Sequence, residues 1–163
     1  MKVLGSVLLI FGFIQTNDLK EIRALYQKAP QVRAAAKALD QRMQAIDSNA
    51  TPLLYCYKGA NEMVQAKYVL NPLVKLEKFN RGKTWITQAF QRDSLDLEMR
   101  FIRFSIQNNL PSFLGYRDDI GGDKKFLLLH LKDCRDTELK KMINDYLTAA
   151  STLTAEEIKQ LNN

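Results

Sequence analysis

Apolar residues recur at helical spacing along nearly the whole chain. Leu19, Ile22, Tyr26 and Ala29 fall on one face, and Val32, Ala36, Leu39, Met43 and Ile46 on the next, because residues three and four apart share one side of an α-helix. Pro30 separates these two segments. Thr51-Pro52 and Asn71-Pro72 each set an N-cap residue before a proline, whose missing N–H would have had no partner at the first helical position. Behind Pro52, Leu53, Tyr57, Ala60, Val64 and Tyr68 share a face. Behind Pro72, Leu76, Phe79, Ile86 and Phe90 do the same, with Lys83 as the one polar interruption.

A fifth helix is predicted after Ser94 as its cap. Met99, Ile102 and Ile106 lie on one side of it, while Leu97, Phe101 and Phe104 cover another. Only the strip Arg100, Arg103, Gln107 stays polar, so this helix is expected to have neighbours on both sides. The run Phe126-Leu-Leu-Leu-His-Leu131 lacks Val, Ile and Thr and reads as a buried helix rather than a strand. Leu139, Met142, Ile143, Tyr146, Leu147 and Ala150 form the clearest amphipathic pattern, with Asp136 as cap, and Thr154-Ala-Glu-Glu157 is a capping box for a short last helix. No strand alternation with hairpin turns occurs. The expected class is all-α, about seven to eight helices in antiparallel hairpins, arranged as a short solenoid or a compact bundle.

The first residues follow a different pattern. Met1-Lys2 gives a short positive start, Val3 to Ile14 is uncharged and mostly apolar, and Gln15-Thr16-Asn17-Asp18 is polar. That is the layout of a secretory signal peptide over residues 1–16, ahead of a single helical domain over 17–163. The apolar run is shorter than the roughly 20 residues that span a bilayer, so a membrane anchor is the weaker reading. A buried core helix is the other alternative, since no clear A-x-A cleavage site follows. The expected location is therefore the periplasm or the exterior.

The 163 residues carry a formal charge of +6 and a pI near 9.3. Nucleic-acid binding needs basic residues gathered on one face, whereas Lys20, Arg23, Lys28, Arg33 and Lys37 are spread among polar helix faces and acids recur beside others, as in Glu77/Lys78. No nucleic-acid partner is expected. Cys56 and Cys134 are the only cysteines. In an exported chain they allow one disulfide, which would close a long loop and stabilise by roughly 4 kcal/mol; alternatively both are small buried apolar residues.

The candidate chemistry is sparse. Gly82-Lys83-Thr84 imitates the end of a phosphate-binding loop, but Glu77 stands where the partner glycine belongs and the tripeptide lies inside a helical pattern. His130 is the sole histidine and, set among leucines, reads as a core residue. Asp118-Asp119-Ile-Gly-Gly-Asp123 lacks the spacing of a calcium loop; Asp119 or Asp123 suits a helix cap, with Gly121-Gly122 as a loop or hinge. No metal site and no cofactor are expected. Arg100, Arg103 and Gln107 emerge together, and in a concave helical stack such arginines hold a carboxylate or an acidic peptide. A solvated face supported by Asp96 is the alternative. Tyr116, Asp118, Asp119 and Asp123 form the nearest set for a rival reading, a small hydrolase-like enzyme working in an inter-helix cleft.

The segment from Lys78 to Arg103 resembles the second half of a tetratricopeptide repeat and the opening of the next. Gly82, Ile86 and Ala89 match that motif's small, apolar and small positions, while Ser94 replaces its usual proline and Ile86 its preferred aromatic. Small residues at 82 and 89 let a neighbouring helix approach closely. Residues 51 to 150 also look like small exported helical proteins of Gram-negative bacteria that have no assigned activity. The run Asp96-Leu-Glu-Met-Arg-Phe-Ile-Arg103 and the segment Leu110-Pro-Ser-Phe-Leu-Gly-Tyr116 carry that likeness. The repeat resemblance implies protein or peptide binding by analogy of fold.

Overall fold

A computed structural model describes residues 16–150 and 153–161. Eight α-helices and no strand occur among them: α1 (Thr16–Lys28), α2 (Arg33–Gln44), α3 (Pro52–Lys67), α4 (Pro72–Arg92), α5 (Leu97–Asn109), α6 (Ile120–His130), α7 (Thr137–Ala149) and α8 (Ala155–Leu161). Single 3-10 turns at Ser112–Leu114 and Leu131–Asp133 interrupt the second half. The leader expected over residues 1–16 lies outside the described residues except for Thr16, which opens α1.

Local capping sets most helix starts. Asn71 Oδ1 accepts from the Leu73 amide at 2.9 Å, and Asp136 Oδ1 from the amides of Glu138 and Leu139 at 3.1 and 3.0 Å. At α8 the expected reciprocal box forms: Glu157 Oε2 accepts from the Thr154 amide at 2.8 Å and Thr154 Oγ1 from the Glu157 amide at 3.3 Å. The start of α5 corrects the sequence reading. Asp96, not Ser94, is the cap, accepting from the Met99 amide at 2.8 Å, because Asp93 binds the Leu95 amide and turns the chain before the helix begins.

The helices α3 and α4 meet backbone to backbone. A Cβ on Gly82 would lie 2.6 Å from the Gly59 carbonyl oxygen, and one on Gly59 would lie 2.7 Å from that of Gly82. Neither position tolerates a side chain without moving a helix. The expected role of Gly82 in close helix approach is therefore met in the structure, Ala89 is fully buried, and Gly82-Lys83-Thr84 lies in the middle of α4.

Two apolar clusters form the core. The first joins α1, α2 and α3 with Ile86 and Ala89 of α4 and with Met99 and Ile102 of α5; the second joins Phe101 and Phe104 of α5 with α6 and α7. Helix α5 is the shared wall, as its two apolar faces require. In α6, Leu127 and Leu128 are buried but Leu129 and His130 are exposed. The expectation of a core histidine is corrected: an 11-residue helix at the edge of a bundle keeps an outer face, and His130 lies on it against Phe126, ring centroids 4.2 Å apart. Gly121-Gly122 is not a loop but part of the first turn of α6. Cys56 and Cys134 are both free, so the bridge the sequence allows is not formed. Cys56 is buried in the first cluster while Cys134 flanks the second, its Sγ 3.5 Å from the Asp136 carbonyl oxygen.

Candidate functional site

The polar strip of α5 points at α6. Asp123, fully buried one turn into that helix, accepts three hydrogen bonds: from Arg100 Nη1 at 2.8 Å, Arg103 Nε at 2.7 Å and Arg103 Nη2 at 2.8 Å. Arg103 Nη1 also lies 3.3 Å from Asp119. Gln107, fully buried, donates to Asp119 Oδ2 at 3.0 Å and accepts from the Asp119 amide at 3.2 Å. Asp119 thus occupies the N-cap position of α6 without capping it. Its side chain is spent on partners in α5, and so is that of Asp123, which corrects the capping role expected of one or the other.

The aromatic surround completes the cluster. The Arg103 guanidinium stacks 3.7 Å from the Phe90 ring centroid, and that of Arg100 lies 4.7 Å from the Phe126 centroid, an arrangement that favours a planar, weakly hydrated cation. Two positive and two negative charges balance. Burial pulls the Arg103 pKa down, but the hydrogen bonds and charge of Asp123 outweigh it and hold the group above its ordinary value. Tyr116 is buried edge-on to Phe79, and burial raises its hydroxyl to about 12 against the opposing charge of Arg103.

The partner-binding candidates Arg100, Arg103 and Gln107 and three members of the rival catalytic set, Tyr116, Asp119 and Asp123, therefore belong to one cluster. Asp118 stays outside it, exposed. Chemically the arrangement is a carboxylate clamp already filled by the chain's own aspartate. General acid–base work needs a group able to exchange protons near neutrality, and Tyr116 is far from that range.

A second buried polar network is one the sequence reading misses. Arg23 of α1 binds Glu98 of α5 through two parallel bonds, Nε to Oε1 at 2.7 Å and Nη2 to Oε2 at 2.6 Å, and reaches Asp136 Oδ2 at 2.8 Å through Nη1. Tyr57 of α3 donates to the same Glu98 at 2.6 Å and sits edge-on to Tyr26. Glu98 keeps Arg23 above its ordinary pKa despite burial, and burial pushes Tyr57 up. The available signal is positional. Arg23 lies one turn from both Leu19 and Tyr26, at the edge of the apolar face of α1, and Glu98 shares a face with Ile102 and Ser105.

Beside this network an open cleft of about 430 Å³ lies where the start of α5 meets the joint between α6 and α7. Leu95, Leu97, Phe126, Cys134 and Leu139 line it together with His130 and the acids Asp96, Glu98 and Asp133; none of Tyr116, Asp118, Asp119 and Asp123 does. Among the described residues no group of three His, Cys, Asp or Glu is arranged to hold a metal, and no helix is long and apolar enough to cross a membrane. Comparison with family models, with curated proteins and with solved structures gives no match.

Proposed function

We propose that this chain is an exported, tetratricopeptide-like interaction module of the cell envelope that binds a protein or peptide in the cleft between α5, α6 and α7. The observation that carries this reading is the division of labour around α5. The charged groups of the clamp are paired within the chain, while the cleft beside them presents apolar side chains, among them Leu95 at 72% exposed, next to His130 and the acids Asp96, Glu98 and Asp133. Apolar surface left open between helices is what a partner's anchoring side chain fills. Paired arginines and aspartates fix α5 and α6 relative to each other and keep the groove in one shape.

Two measurements test this. Fractionation of cells making the full chain is expected to recover it from the envelope, shortened by a cleaved leader of about 16 residues; a full-length cytosolic chain refutes the export part. A photo-crosslinking amino acid in place of Leu95 is expected to give a discrete adduct that the same group at the exposed Lys141 does not. Identical patterns at the two positions refute the binding part.

A further inference from the structure

Five of the basic residues of the first half gather at one end of the molecule. Tyr68 donates through its hydroxyl to the Ala29 carbonyl at 2.6 Å, Lys67 to that of Pro30 at 2.5 Å, and the Arg33 guanidinium lies 5.9 Å from the Tyr68 ring centroid. These contacts bring the α1–α2 turn beside the turn joining α3 to α4. Residues 28–39 contain Lys28, Arg33 and Lys37 and no acid; residues 63–76 contain Lys67 and Lys75 and no acid. All five are exposed. The acids that flank the second stretch, Glu62 and Glu77, are held by Lys78 and Arg81.

The same end carries most of the misplaced apolar surface. Nine large apolar side chains are exposed among the described residues, and five of them, Val32, Leu70, Leu73, Val74 and Leu76, lie here. Leu70 is 97% exposed and Leu73 77%. At 97% exposure Leu70 stands on a projection, with no groove around it. Asn71 fixes the projection by capping α4 through the Leu73 amide.

We infer that this end docks on the surface of an anionic lipid bilayer, with Leu70 and Leu73 entering the acyl boundary and the surrounding lysines and arginine meeting the headgroups. Two features favour a bilayer over a protein partner. A fluid apolar layer makes no demand for a shaped counterpart, which suits projecting leucines. An acid-free basic collar complements a negative surface, with long cationic side chains able to lie along it while keeping their heads in water. The inference concerns a different face from the cleft and does not rest on the export reading.

The apolar residues 3–14 offer a second route to lipid, so the reporter must sit at the tip. In the full chain, Leu73→Trp is combined with Trp85→Phe to leave one tryptophan. With vesicles of equimolar phosphatidylglycerol and phosphatidylcholine, its emission is expected to shift to the blue and to be quenched by brominated acyl chains. Pure phosphatidylcholine, or raised salt, should weaken the response by about tenfold or more, and adding Leu70→Asp should weaken it by a similar factor. The inference is overturned if the chain sediments with the vesicles while the introduced tryptophan keeps its aqueous emission, which assigns binding to residues 3–14. It is equally overturned if the chain does not sediment, which leaves the tip to a protein, or if neutral vesicles shift the emission as strongly as anionic ones.

Discussion

The seam between α3 and α4 and the seam between α5 and α6 join neighbouring helices by opposite means. The first is a matter of shape: Gly59 and Gly82 leave no room for a Cβ between two backbones, since each would fall within 2.7 Å of the other residue's carbonyl oxygen. The second is a matter of charge: two guanidiniums close on one buried carboxylate between phenylalanine rings. The glycine contact itself carries no charge, although Glu62 of α3 pairs with Lys78 and Arg81 of α4 elsewhere along the same seam. A charge seam must repay the desolvation of each ion, and it does so only while every partner is present.

The largest expected effect comes from breaking the charge seam. Asp123→Ala strands Arg100 and Arg103 without their carboxylate and is expected to cost about 3–5 kcal/mol in denaturant unfolding. Replacing all three with apolar residues of similar size is expected to recover most of that loss, since the penalty belongs to the unpaired ions. Next, Gly82→Ala attacks the shape seam. Helix propensity favours alanine by about 1 kcal/mol, yet a Cβ 2.6 Å from a carbonyl oxygen forces the helices apart. A net loss of about 1–3 kcal/mol is expected in the same unfolding measurement.

A smaller effect concerns Asp136, which lies outside both seams. Hydrogen bonds from the Leu139 amide lower its pKa, burial opposes them, and Arg23 adds to the lowering. A depressed folded pKa means stability that is present above the unfolded value and lost as pH falls through the folded one. Asp136→Asn keeps the cap but loses the charge, so its Tm is expected below that of the native chain at about pH 7, the gap closing below about pH 4. A gap that persists at about pH 2 would assign the loss to capping. The smallest change is a gain: Gly122→Ala, with open space around the added Cβ, is expected to stabilise α6 by about 0.5 kcal/mol.

The sequence discloses what is local or periodic. Caps at Asn71, Asp136 and Thr154 act within three residues, and the two faces of α5 repeat at helical spacing, so both are legible. Asp119 and Asp123 mislead because a carboxylate at a helix start has a local use, whereas their actual partners stand 12 to 23 residues away. Charge alone assigns Arg23 to a solvated face, although its spacing from Leu19 and Tyr26 argues otherwise. The convergence of Arg100, Arg103 and Gln107 follows from their spacing, but not that the carboxylate they hold belongs to the same chain. The proximity of Lys28 and Lys67 depends on how two helix hairpins stack, which no periodicity encodes.

Arg23 carries one more consequence, for the order in which the chain is made. Its partners Glu98 and Asp136 lie 75 and 113 residues downstream. While a ribosome has delivered only the first four helices, Arg23 has neither of its carboxylate partners and its guanidinium stays in water. The ion network therefore forms only after α5 and then the start of α7 have emerged, and the late-made helices seal the first one.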